Sequence, residues 1–220
     1  PIPRNVYGDM INYLEAQKPQ AIIFDLLFIK SMRASKDSDN ALISAMNKYP
    51  NIYTGMNFDT QTADVRKPID LPERLEVKLE NNSHVKIPQE YTNCRPVLAE
   101  LLNGKVNVGM TNVTRNNDGI IRTVSPFIPY KGKYYPFMSF KAGADYLNES
   151  HNNEFTIDKF SNLLVSDAKI PLTKNGEAIL NWYGPSETHT MIPMYKLVNE
   201  MQGGAKSGYA IKDGTVYEDL

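Results

Sequence analysis

The spacing of apolar residues predicts five helices along the chain. Residues 3–17 repeat apolar positions every three to four residues, as an amphipathic helix does. Residues 36–50 repeat this pattern, and Ser38 or Asp39 is predicted to cap the helix. Shorter helices are predicted at residues 95–103, 136–148 and 193–201.

Strands are predicted between these helices. The run AIIFDLLFI at residues 21–29 is apolar throughout except for Asp25, so we expect a strand buried on both faces in the middle of a sheet. Residues 51–59 predict the next strand, and strict alternation at residues 74–80 favours a half-exposed edge strand. Helices alternating with strands are typical of a βαβ sheet.

Turn signals divide the rest of the chain. Residues 109–130 are predicted to form a strand, a turn and a second strand, as a hairpin, and residues 130–135 contain a tight turn. A further hairpin is predicted around Asn175–Gly176 within residues 170–184. The glycine-rich tail at residues 203–220 is predicted to be a loop.

Composition narrows the class of protein. The 220 residues have a net charge of −1 with scattered basic residues, which argues against a nucleic-acid surface. A single cysteine, Cys94, excludes an internal disulfide and a thiolate metal cage, and we expect it to be an inert or buried thiol. The longest apolar run is shorter than the roughly 18–20 residues that cross a bilayer. The expected fold is a single α/β domain with a mixed central sheet flanked by helices and peripheral β-hairpins.

Neither a catalytic nor a metal-binding pattern is present in the sequence. The three histidines are far apart, and no serine nucleophile motif or phosphate-binding loop occurs. We therefore expect a domain that is not itself an enzyme, with no catalytic residues, no metal and no cofactor.

Two polar positions are candidates for a site. Asp25 interrupts the apolar run, so it either lies at a ligand site near the end of a strand or is a buried carboxylate with structural partners; we favour the second interpretation. Asp118 and Gly119 favour a tight turn, and Arg122 lies close enough in sequence to form an ion pair with Asp118. Local chemistry alone requires nothing more than a turn with a salt bridge.

The order of these segments resembles the CHASE2 family. The resemblance rests on Gly109 and Asn112 as G-x-x-N, the D-G-x-x-R turn at residues 118–122, and the apolar strand, short hairpin and helix that follow. Upstream, residues 1–31 are similar to the family's W-P-x-P-R helix and F-D-x-x-F strand, and downstream residues 175–185 are similar to its segment ending in Y-x-G-P.

This resemblance implies a role. CHASE2 domains are extracytoplasmic sensory modules, flanked by transmembrane helices, of bacterial signalling proteins. We expect residues 1–220 to be such a sensor, periplasmic or extracellular, attached to the membrane in a longer polypeptide. An adenylate or guanylate cyclase is the first expected output, and a histidine kinase or diguanylate cyclase the next. The partners expected are a small-molecule or ionic signal, the flanking helices and output domain, and a second copy in a homodimer, but no nucleic acid.

The site and the ends of the chain complete these expectations. We name Asp25 and Arg122 as candidate ligand contacts, with Arg4 and Asp118 behind them, although all four could instead form one structural ion network. The alternative function is a structural or dimerisation module that binds no small ligand. The chain is expected to be truncated at both ends relative to the family, which would leave an open edge beside residues 21–29 that associates with another chain.

Overall fold

The computed structural model describes most of the 220-residue chain. The ranges described are residues 2–31, 36–59, 68–80, 85–86, 91–113, 115, 118–147, 153–185, 188–201, 203, 209–212 and 215–218. For the last two ranges the description covers the backbone only.

Each predicted helix is present. The helices of the described ranges are α1 (Arg4–Glu15), α2 (Lys36–Lys48), α3 (Ala99–Leu102), α4 (Met138–Leu147) and α5 (Met194–Met201). A short 3₁₀ helix at Glu73–Leu75 adds to them. The third helix is shorter than predicted, because it begins three residues after Pro96.

The strands fall into several sheets, which gives the mixed α/β fold that the sequence predicts. In chain order they are β1 (Ile22–Phe24), β2 (Ile52–Asp59), β3 (Lys78–Glu80), β4 (Asn93–Arg95), β5 (Asn107–Met110), β6 (Thr123–Val124), β7 (Phe127–Tyr130), β8 (Lys133–Pro136), β9 (Glu154–Ile157), β10 (Asn162–Val165), β11 (Ala168–Pro171), β12 (Ala178–Ile179), β13 (Tyr209–Lys212) and β14 (Thr215–Glu218).

Strand β2 is the centre of the first sheet. It pairs in parallel with β1 and β5 and in antiparallel with β4. A second sheet has the order β11-β10-β9-β3, so β3 lies at an edge as predicted, but the strand covers only Lys78–Glu80 of the predicted residues 74–80, because the 3₁₀ helix occupies Glu73–Leu75. The hairpin β7–β8 turns through Lys131 (φ 53°) and Gly132 (φ 72°), which are the two left-handed residues of a tight turn.

The prediction for residues 21–29 is wrong in two respects. Strand β1 covers only Ile22–Phe24, and its one ladder partner within the described ranges is β2, so β1 lies at an edge and not in the middle. The chain leaves the sheet at Asp25, which is exposed together with Leu26 and Leu27. A run that is apolar in sequence is thus buried only at Ile22, Phe24 and Phe28.

Two further predictions are wrong because distant segments supply the strand partners. Residues 109–130 do not form a hairpin: β5 pairs with β2, and β6 pairs with β12. The tail is not a loop in its described part, since β13 and β14 pair in antiparallel. The turn at Asn175–Gly176 is present, with Gly176 at φ 72°, but the hairpin predicted within residues 170–184 is reduced to one bridge between Leu172 and Ala178, because β12 pairs with β6.

Two residues of the G-x-x-N segment hold β5 in place. A Cβ on Gly109 would come within 2.6 Å of the Met138 Cα, so only glycine lets α4 approach the strand this closely. After β5 ends, the Asn112 side chain continues the ladder. Its Oδ1 accepts from the Phe58 N–H at 2.8 Å, and its Nδ2 donates to the Phe58 carbonyl at 2.7 Å.

Buried side chains form two principal clusters. The larger one packs α1 and α2 against the first sheet around Ile11, Leu42 and Met56, all 0% exposed. The other lies under the second sheet around Phe127, Phe155 and the fully buried Leu163. The described part of the chain therefore has two principal packing centres.

Candidate functional site

Arg4 forms a buried ion pair with Asp39 and thereby joins the first turns of α1 and α2. The Arg4 guanidinium donates to Asp39 Oδ1 at 2.6 Å and to the Lys30 carbonyl at 2.5 Å, and Ser31 Oγ donates to Asp39 Oδ2 at 2.5 Å. The side chains of Arg4 and Asp39 are 12% and 4% exposed. This geometry is that of a structural ion pair, because both charges are already satisfied inside the protein.

The predicted capping role of Ser38 and Asp39 is wrong. Helix α2 already begins at Lys36, so both residues lie inside its first turn. Ser38 instead serves α1: its Oγ accepts from the Asn5 N–H at 2.8 Å, one of the amides that a helix start leaves without a partner in its own helix.

Asp118 and Arg122 form the salt bridge expected at the turn. The guanidinium donates to both carboxylate oxygens, at 3.0 and 2.6 Å, and Asp118 Oδ1 also accepts from the Ile120 N–H. These bonds hold the pKa of Asp118 below its ordinary value, the Arg122 bond being the largest cause. The two side chains are 49% and 51% exposed, so the pair lies on the surface beside Gly119 at φ 80°.

The four predicted site residues are not brought together. Arg4 pairs with Asp39, Arg122 pairs with Asp118, and Asp25 forms no ion pair with any residue that the structure describes. The interpretation of Asp25 as a buried carboxylate is wrong, since it follows the last residue of β1 and is exposed. Its position just past a strand end is the one that the ligand-site interpretation assumed. Ligand binding by these four residues stays a prediction.

Cys94 is buried, as expected, although it lies in β4 and not before a helix. It is 7% exposed, and burial raises the pKa of its thiol to about 12. A thiol that stays protonated at neutral pH is a poor nucleophile.

A polar cleft of about 460 Å³ lies at the amino ends of β2 and β5. We call it the basic cleft, because Lys48, Arg74, Lys105 and Lys141 line it, and Asp145 is the one acidic residue among the described residues of its lining. None of the four residues predicted from the sequence lines it.

Residues beside both sheets line the basic cleft, although none of them belongs to the buried cluster under the second sheet. The end of α2 packs against the first sheet and β5 belongs to it, whereas Asn153 immediately precedes β9 of the second sheet. The Asn153 side chain donates to the Arg74 carbonyl at 2.9 Å, and the Asn153 carbonyl accepts from the Lys78 N–H at 2.8 Å. A molecule in this cleft would therefore touch both halves of the fold.

A polar triad lies at one side of the basic cleft. Lys141 and Asp145, one turn apart on α4, form an ion pair with side chains 12% and 10% exposed. Tyr53 of β2 donates its hydroxyl to Asp145 Oδ2 at 2.9 Å. Burial, with the nearby Asp145 charge, raises the pKa of Tyr53 well above its ordinary value. The tyrosine therefore remains a neutral donor, and Asp145 is held from two directions.

The remaining cleft residues are fixed by backbone contacts. Arg74 donates to the carbonyls of Val106, Leu101 and Leu102 at 3.0, 3.3 and 2.7 Å, which closes the end of α3. Asn47 Oδ1 accepts from the Lys105 N–H at 2.6 Å and from the Val106 N–H at 3.2 Å. These bonds set the backbone from which Lys105 projects.

A smaller, more apolar cleft of about 440 Å³ adjoins the triad on its other side. Its lining includes Ile23, Tyr53, Ala142 and Tyr146, and it shares Asp145 with the basic cleft. Asp145 thus separates two openings of similar size.

Neither a metal-binding cluster nor a membrane-spanning helix is present among the described residues. Within the described ranges, no group of three or more His, Cys, Asp or Glu is placed to hold a metal ion. The described part of the chain also contains no helix long and apolar enough to cross a bilayer.

Comparison with known proteins gives one result. The CHASE2 domain model matches residues 1–216 of the 220. No curated protein and no solved structure matches the chain. The match covers nearly the whole chain, including the segments with Gly109, Asn112, Asp118 and Arg122 on which the resemblance rests. The chain belongs to the CHASE2 family of extracytoplasmic sensory domains.

Proposed function

We propose that this domain is the ligand-sensing input of a membrane-anchored signalling protein. The output proposed first is an adenylate or guanylate cyclase, followed by a histidine kinase or diguanylate cyclase. The observation that carries the sensing role is the basic cleft, because residues beside both sheets line it, with Asn153 immediately before β9 of the second sheet. A ligand that contacts both stabilises one arrangement of the two over another, and this shift in population is the signal.

A thermal-shift screen of the 220-residue chain tests ligand sensing. The panel contains small anions, nucleotides, amino acids, sugars and divalent metals. A ligand at about a hundred times its Kd should raise the melting temperature by about 5–10 °C for a domain of this size. A flat screen on well-folded protein would contradict the sensing role.

The output is tested in the full-length polypeptide. Membranes containing it are assayed for cyclic nucleotide formation from ATP and GTP, with and without the ligand that the screen identifies. A ligand-dependent change in rate supports a cyclase. Formation of cyclic diguanylate or of phosphohistidine in its place would assign the other outputs.

The residues predicted from the sequence define a competing site. If Asp25 and Arg122 contact the signal, with Arg4 and Asp118 behind them, then Asp25→Ala and Arg122→Ala should abolish the thermal shift. If the ligand occupies the basic cleft, both variants should keep it, because neither residue lines that cleft.

A second candidate function is a dimerisation module. Four large apolar or aromatic side chains between residues 182 and 195 are mostly exposed: Trp182 at 66%, Tyr183 at 80%, Met191 at 73% and Tyr195 at 64%. Exposed apolar groups of this size favour an interaction surface. Sedimentation equilibrium tests it, since a dimer that dissociates in Trp182→Ser with Tyr183→Ser would support this function and a monomer at all concentrations would refute it.

A further inference from the structure

Most of the positive charge in the basic cleft has no carboxylate partner. Lys141 pairs with Asp145, but Lys48, Lys105 and Arg74 form no ion pair with any described residue. Lys48 and Lys105 are exposed, and the Lys48 ammonium lies over the Tyr49 ring, 4.7 Å from its centroid, so an anion can reach both charges. The lining therefore has an excess of three positive charges in one concavity, whereas the whole chain has a net charge of −1.

Arg74 is the charge that an anion would stabilise most. Its guanidinium is partly desolvated and donates hydrogen bonds to neutral backbone carbonyls. Burial lowers the pKa of Arg74 from its ordinary value, yet an arginine stays protonated in a protein. A negative group in the cleft would offset this desolvation.

The walls between the charges are partly apolar. Tyr49, Leu75, Val108 and Pro136 line the same cleft. Its volume of about 460 Å³ is typical of sites for small organic molecules, which bury an apolar body and fix it by a few polar groups. An inorganic ion alone would make no apolar contacts with these walls.

We propose that the basic cleft binds a small organic anion with two or more carboxylate or phosphate groups, held by Lys48, Lys105 and Arg74. This inference rests on the proposed sensing function and names the chemical class of its ligand. The Lys141–Asp145 pair borders the bound anion, and Asp145 repels it from the neighbouring apolar cleft.

Isothermal titration calorimetry on the 220-residue chain tests the proposal. Citrate and succinate form the carboxylate arm, fructose 1,6-bisphosphate and inorganic phosphate the phosphate arm, and acetate is the singly charged control. We expect an organic polyanion of one arm to bind at least about tenfold more tightly than acetate and inorganic phosphate, since each charge-assisted contact adds to the affinity. Binding should weaken as NaCl rises from about 20 to 200 mM, because salt screens the lysines at the surface.

A charge-reversal variant locates the site. Lys48→Glu with Lys105→Glu should weaken binding by about a hundredfold, since two charged contacts are lost. Both side chains are exposed, so the variant should fold, and its melting temperature without ligand checks this. Lys174→Glu is the control for charge reversal, because Lys174 is exposed and lies outside the cleft.

Each result of the calorimetry either supports or overturns the proposed anion site. If no organic polyanion in either arm binds, or if the double variant binds as tightly as Lys174→Glu, the proposal is overturned. A neutral ligand found in the thermal-shift screen would then support the sensing function although the anion site had been refuted. Conversely, a polyanion that binds in the cleft but leaves the output of the full-length protein unchanged would keep the anion site and refute the sensing function.

Discussion

Two Arg–Asp pairs with the same shortest distance offer a test of what burial does to an ion pair. Both Arg4–Asp39 and Arg122–Asp118 have a nitrogen–oxygen distance of 2.6 Å. The first has side chains 12% and 4% exposed, and the second 49% and 51%. The perturbation is Arg→Met in each pair, which removes the charge and keeps much of the stem.

The expected loss at Arg4 is large because the carboxylate stays behind. Breaking a buried pair costs about 3–5 kcal/mol, since the remaining charge is desolvated. Asp39 keeps its bond from Ser31, and the methionine stem can still pack near Phe28, so we expect the lower end, about 3 kcal/mol. With a urea m-value of about 3 kcal/mol/M, the unfolding midpoint should fall by about 1 M.

Urea unfolding followed by circular dichroism measures both variants. Arg122→Met should leave the midpoint within experimental error, because an exposed pair gains little over its hydrated ions. Raising NaCl should leave the Arg4→Met deficit in place, since a buried pair is poorly screened. Equal midpoint losses in the two variants would refute the argument that burial decides.

Further predictions concern a close contact and a thiol. Gly109→Ala should lower the free energy of unfolding by about 1–3 kcal/mol, because the new Cβ would lie 2.6 Å from the Met138 Cα. Gly143→Ala should raise the free energy of unfolding by about 0.5–1 kcal/mol, because Gly143 lies in helix α4 with open space around the position of a Cβ. Urea unfolding of both variants measures this, and a Gly109→Ala protein as stable as wild type would contradict the packing argument. Cys94 should react with Ellman's reagent at pH 8 only after unfolding, and fast labelling of folded protein would show that the thiol is accessible. Because the pKa of the Cys94 thiol rises from 9.0 to about 12 on folding, the stability that the thiol contributes is complete below pH 9 and is lost as the pH rises from 9 toward 12. Unfolding midpoints of the wild-type and Cys94→Ala proteins over this pH range test whether the thiol's contribution falls as the pH rises.

Local patterns predicted those parts of the fold that local interactions determine. Helices α1, α2 and α5 follow from apolar spacing, and the turn at Lys131–Gly132 follows from residues that accept a left-handed backbone. The prediction of a loop for residues 203–220 overlooked the dipeptide Asp213–Gly214, whose residue types are typical of tight hairpin turns.

The strand predictions that are wrong concern segments whose pairing partners are distant in the sequence. The run at residues 21–29 is apolar enough for a full central strand, yet only Ile22–Phe24 pairs with β2. Residues 109–130 are ordered as a hairpin should be, but β5 finds its partner more than fifty residues upstream. The strand propensity of a segment does not indicate which distant strand it will pair with.

The basic cleft was missed for the same reason. Its four basic residues, at positions 48, 74, 105 and 141, come from separate segments that no spacing rule connects. Asp118 and Arg122 stood out because they are neighbours in sequence, and that closeness is what makes them a self-contained surface pair.

The Asn112 side chain also acts as a register stop for the first sheet. An amide offers one acceptor and one donor, which matches the N–H and carbonyl of Phe58 in only one alignment of β5 along β2. A slip of one residue would lose both bonds and turn the inward side chains of β5 outward. It would also move Gly109 away from Met138 and place a side chain where α4 touches the strand. One amide thereby fixes both which residues of β5 face inward and how closely the helix above them can pack.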